Sequence, residues 1–78
     1  MDYHYIAIQQ EYGEGGLKKT DYGIAAVTEA DGCIVVLQSI TAVTPDKLRI
    51  QKLVKLCNEL ELSMIHLEEV VDDFLTEF

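Results

Sequence analysis

The closing stretch SMIHLEEVVDDFLTEF, residues 63–78, decides the fold reading, because its apolar residues recur at the spacing of a helix. Met64, Leu67, Val70, Val71, Phe74, Leu75 and Phe78 fall three and four apart and line one continuous face. His66, Glu68, Glu69, Asp72, Asp73 and Glu77 fill the rest of the circumference, so the outer side is acidic. Such a helix needs an apolar surface to lie on, and the residues upstream supply it.

Directly upstream, Thr44-Pro45-Asp46 reads as the start of an earlier helix. Threonine caps the open amides, proline suits the first helical position, and an acid favours the positive end of the dipole. That helix is expected over 45–60, with Ile50, Leu53, Val54, Leu56, Cys57 and Leu60 on its buried face. Val43 and Leu48 stand in the two positions of a hydrophobic staple around Thr44, and Leu62 and Leu67 repeat the relation around Ser63. With only Glu61 and Leu62 between them, the helices are expected to form a hairpin. Charge agrees: Lys47, Arg49, Lys52 and Lys55 sit on the first helix, while Asp72, Asp73 and Glu77 end the second. Antiparallel packing lays those acids beside the cationic start of the first helix.

Ahead of the helices, three segments read as strands, at about 2–12, 17–29 and 33–43. Gly13-Glu14-Gly15-Gly16 separates the first two, since positive φ is cheap for glycine, and Asp31-Gly32 is a two-residue hairpin signal. Cys33-Ile34-Val35-Val36-Leu37 is apolar on both faces, as a strand covered on both sides would be. The expected fold is α+β: a three-stranded antiparallel β-meander followed by a C-terminal helical hairpin, β-β-β-α-α, in a single domain spanning 1–78. Phe74 and Leu75 are expected to anchor the helices to the sheet.

A 78-residue chain buries only roughly 60–65% of its unfolded surface, a marginal core that a second subunit often completes. If both helices cover one sheet face, the apolar other face of the third strand needs a cover. A homodimer is the simplest expectation, with Tyr3, Tyr5, Ile34, Val36 and Ile40 as interface candidates. Cys33 and Cys57 both read as reduced core thiols. The start Met1-Asp2-Tyr3-His4-Tyr5 lacks a positively charged segment ahead of an apolar one, so no signal peptide is expected and the setting is taken as cytoplasmic. No apolar run approaches the ~20 residues of a membrane span. Six Lys plus Arg against fourteen Asp plus Glu give a net charge of −8, which disfavours nucleic acid and anionic membranes and leaves a basic protein partner open.

Chemistry-bearing motifs are sparse. His66, Glu69 and Asp73 share a helix face and form a candidate set for a divalent metal, against the plainer explanation of a solvated acidic face. The glycine-rich loop matches no phosphate-binding pattern and leads into a strand. Neither Cys33 nor Ser39 stands in a nucleophile motif with His66, so no enzymatic activity and no cofactor are expected. A helix-turn-helix reading fails because the second helix presents carboxylates where DNA contacts need Arg, Lys, Asn or Gln.

Tyr22-Gly23-Ile24, Ile40, Leu53-x-x-Leu56-x-Asn58 and Leu62-Ser63-x-x-His66-Leu67-x-x-Val70-Val71-x-Asp73-Phe74-Leu75 together give the chain a family likeness. It resembles a family of short, uncharacterised bacterial proteins known only as a domain of unknown function. The resemblance implies a self-contained domain and carries over no site. The residues themselves favour a non-enzymatic, self-associating interaction or regulatory module; the alternative is a divalent-metal or small-ligand-binding protein using the acidic face of the last helix.

Overall fold

The computed structural model describes residues 2–77, without the side chains of residues 14 and 77. Strands β1 (His4–Glu14), β2 (Leu17–Ala30) and β3 (Cys33–Thr44) form one antiparallel sheet in the order β1-β2-β3. Helix α1 (Lys47–Glu59) follows, and the C-terminal helix opens with a 3-10 turn, Met64–His66, before continuing as α2 (Leu67–Glu77). The β-β-β-α-α arrangement is the one read from the sequence. Phe78, the last residue of the expected apolar stripe, lies outside the described residues.

Two-residue turns set both hairpins. Glu14 pairs with Leu17 across Gly15-Gly16, whose φ values are 62° and 85°. Ala30 pairs with Cys33 across Asp31-Gly32, at 53° and 78°. Paired positive φ angles match the right-handed twist of the flanking strands.

Both helices lie on the same sheet face. Tyr5, Ile24, Ala26 and Val43 from the sheet meet Ile50, Leu53 and Cys57 of α1 and Leu67, Val71 and Phe74 of α2 in one buried cluster. The run buried at every position lies in the central strand β2, not in β3: each residue from Gly23 to Val27 is buried. In β3 the run Cys33 to Leu37 is exposed throughout. An apolar pentad reads the same whether it is covered twice or not at all, and this one is open. Cys33 is accordingly a surface thiol, while Cys57 is in the core as expected.

Register shifts occur at two places between β2 and β3. Ala26 pairs with Gln38 and Val27 with Val36, so Leu37 is the extra residue of a bulge. Tyr22 pairs with Thr44 and Ile24 with Ile40, leaving Gly23 opposite three residues that include Ala42 at φ 54°. A Cβ on Gly23 would run into the Ile40 carbonyl oxygen and stand 3.0 Å from the Thr41 Cα. Glycine is the residue that lets the two backbones approach there.

The caps depart from the expected pattern. Thr44 stays in the sheet, paired with Tyr22, so Asp46 becomes the N-cap of α1. Its Oδ1 accepts from Leu48 N at 2.9 Å and Arg49 N at 3.4 Å, and Thr44 Oγ1 accepts from Asp46 N at 3.2 Å. The shift leaves Leu48 68% exposed and moves the residue four past the cap to Ile50, which is buried. Ser63 makes no side-chain cap bond. Leu56, Leu60 and Leu75, expected in the core, are exposed, so Phe74 anchors α2 without Leu75.

At its far end α1 closes with Glu61 N donating to Asn58 O at 3.2 Å and Leu62 N to Cys57 O at 3.0 Å. This is the Schellman arrangement, which needs a left-handed residue; Glu61 supplies it at φ 48°. Of the ion pairs among the described residues, Lys55–Glu59 lies within α1 and His66–Glu69 within the C-terminal helix, and none joins the two helices. Where the start of α1 meets the end of α2, the Arg49 guanidinium stands 5.6 Å from the Phe74 ring centroid instead. No helix is long and apolar enough to cross a membrane among the described residues.

Candidate functional site

The two edge strands differ in how their free backbone groups are treated. On β1, Tyr5 N donates to Asn58 Oδ1 at 2.8 Å and Asn58 Nδ2 donates to Tyr5 O at 2.9 Å. The Asn58 amide thus takes the place of a neighbouring strand, and two backbone groups that an edge leaves open are satisfied from α1. The Tyr5 ring runs beneath the helical corner, and its hydroxyl donates to Leu62 O at 2.6 Å, in the connection that follows α1. Tyr3 stacks edge-on against it, with centroids 6.0 Å apart, and its hydroxyl accepts from Met64 N at 3.2 Å. Loss of solvent pushes the Tyr5 hydroxyl up to about 12, with Tyr3 and Cys57 adding to the effect. Burial alone pushes the Cys57 thiol up to about 11. Both groups are built to stay neutral.

On β3 the outer edge has no neighbouring strand. From Cys33 to Thr44 the strand carries no charged residue and no proline, the two residue types that usually guard an edge. Ile34 is 66% exposed and Val36 58% exposed, and Val35 and Leu37 are open as well. The strip combines exposed apolar side chains with a strand edge that no other strand covers. The Leu37 bulge limits the regular edge to Cys33–Val36 on one side and Gln38–Ile40 on the other.

The interface candidates read from the sequence therefore divide into two groups. Ile34 and Val36 lie on the open strip. Tyr5 is buried, and Tyr3 and Ile40 are half-buried against the core beneath the helices. The sequence marks Asn58 only as part of the Leu53-x-x-Leu56-x-Asn58 motif, because its role depends on a strand 53 residues away. The bareness of β3, by contrast, is written in its composition: twelve residues without a charge at the rim of a chain of net charge −8.

Of the proposed metal set, His66 Nδ1 lies 3.7 Å from Glu69 Oε2, on exposed side chains. Asp73 does not join them, and no group of three potential ligands gathers among the described residues. His66 belongs to the 3-10 turn while Glu69 and Asp73 belong to α2, and all three residues are exposed.

Neither a curated protein nor a solved structure matches the chain. A family model matches residues 1–77, and the chain belongs to that family of unknown function, DUF6514.

Proposed function

We propose that this protein is a non-enzymatic interaction module that self-associates, two copies pairing along the outer edge of β3 from Cys33 to Val36. The observation that carries this reading is the uncharged, exposed apolar strip of an otherwise acidic chain. Two copies of net charge −8 repel one another over most of their surfaces, and this strip is where they meet without apposing like charges. A two-fold axis across an antiparallel β3–β3 contact joins both sheets into one and satisfies the free backbone groups of both edges. A cytoplasmic setting suits an exposed thiol at the same strip, since both cysteines are free.

Light scattering on a size-exclusion column, across a range of protein concentrations, tests the reading. The wild-type chain should run at twice its mass, and Ile34→Lys and Val36→Lys should each run as folded monomers. A wild-type monomer at every concentration overturns self-association. A dimer that survives both substitutions moves the interface off β3.

A further inference from the structure

The cleft between the start of α1 and the end of α2 holds cationic groups that no carboxylate among the described residues pairs with. Arg49, Lys52, Leu56 and Phe74 line a groove of about 380 Å³. Arg49 Nη2 is shut off from solvent and has no hydrogen-bond partner among the described residues. Neither Arg49 nor Lys52 is in an ion pair among the described residues, although acids outnumber cations fourteen to six in the chain. A guanidinium that has given up water at one nitrogen without gaining an acceptor is short of its hydrogen-bonding capacity, and an anion restores it.

We infer that this groove binds a small apolar carboxylate, with its acid group on Arg49 and Lys52 and its hydrocarbon on Leu56 and Phe74. The planar fork of arginine suits a carboxylate, and the rest of the lining is apolar. The volume lies near the lower end of the range of small-molecule sites. A ligand bearing a single charge is the fitting occupant, because the net charge of −8 repels a polyanion long before it reaches two local cations. None of the four residues belongs to β3, so the inference stands apart from self-association.

Decanoate is a suitable probe, titrated below its aggregation concentration into isotopically labelled protein and followed by NMR. Decanol and decyltrimethylammonium report whether the acid group matters. Saturable shifts are expected at the Arg49 side chain, Leu56 and Phe74, with decanoate binding roughly tenfold or more tighter than either control. Lys52→Glu, at an exposed position that the fold does not need, should weaken decanoate roughly tenfold and leave decanol unchanged. Arg49→Gln should weaken decanoate further. Equal binding of decanol, shifts centred on Ile34 and Val36, or no saturation with decanoate would each overturn the assignment.

Discussion

β1 and β3 are both edge strands of one three-stranded sheet, yet β1 carries His4, Glu11 and Glu14 and is closed by Asn58, whereas β3 runs twelve residues without a charge. The difference separates two uses of the same backbone chemistry. An edge that the chain closes from within contributes to its own stability, since Asn58 and the Tyr5 hydroxyl spend polar groups on partners inside the fold. An edge left bare keeps its outward backbone groups without a partner strand. The buried cluster draws on both edge strands, through Tyr5 of β1 and Val43 of β3, so the core alone does not distinguish them.

Four measurements break or sharpen this contrast. The largest effect is expected on the β3 side, at the bulge that fits the bare strand to β2. Gly23→Ala forces a Cβ against the Ile40 carbonyl, a backbone atom that cannot swing aside, and should cost about 3 kcal/mol or more in denaturant unfolding. A loss under about 1 kcal/mol would mean that β3 moves freely on β2. On the β1 side, Asn58→Ala strips partners from two half-buried backbone groups and should cost about 2–4 kcal/mol, whereas Ile34→Lys should change monomer stability by no more than about 0.5 kcal/mol. Equal costs would erase the contrast.

The third measurement uses protons. Tyr5 and Cys57 have folded values raised to about 12 and about 11, above their ordinary values of 10.0 and 9.0. As pH rises past the ordinary values, the unfolded chain releases protons that the folded chain still holds, so unfolding gains. The melting temperature should stay level between about pH 7 and 8.5 as far as these two groups decide it, then fall through the window from about 9 to 12. Tyr5→Phe with Cys57→Ala should flatten that fall. The smallest effect is at the corner that presents Leu62 to Tyr5. Glu61→Gly relieves a left-handed side-chain position and should add about 1 kcal/mol, read as a higher denaturant midpoint.

Much of the fold is legible in the chain because its signals are local. The two turn pairs, Gly15-Gly16 and Asp31-Gly32, fix where the strands fold back, and the Leu67, Val71, Phe74 spacing fixes the buried face of α2. What resists reading depends on partners far along the chain. Cys33–Leu37 has the composition of a doubly covered strand, yet it is exposed throughout, and the run buried at every position is Gly23–Val27 of β2. Thr44 has the chemistry of a cap, but its pairing with Tyr22 holds it in the sheet and passes the role to Asp46. Of the five apolar and aromatic residues grouped together in the sequence, Ile34 and Val36 are exposed on β3, whereas Tyr3, Tyr5 and Ile40 share that character and serve the core.

The amide of Tyr5 has a particular standing among edge-strand amides. Its acceptor is a side chain 53 positions away, so nothing in the β1–β2 hairpin protects it from solvent deuterium. Hydrogen exchange at that single site therefore times the parting of α1 from the sheet, while neighbouring strand-paired amides time the opening of the hairpin. The same separation places closure of β1 late in folding: both hairpins form across tight local turns, and the N-terminal strand is sealed once α1 has been made and docked. A ribosome-bound chain lacking α1 would then expose two open edges rather than one, and the tendency to aggregate should drop at the moment Asn58 arrives.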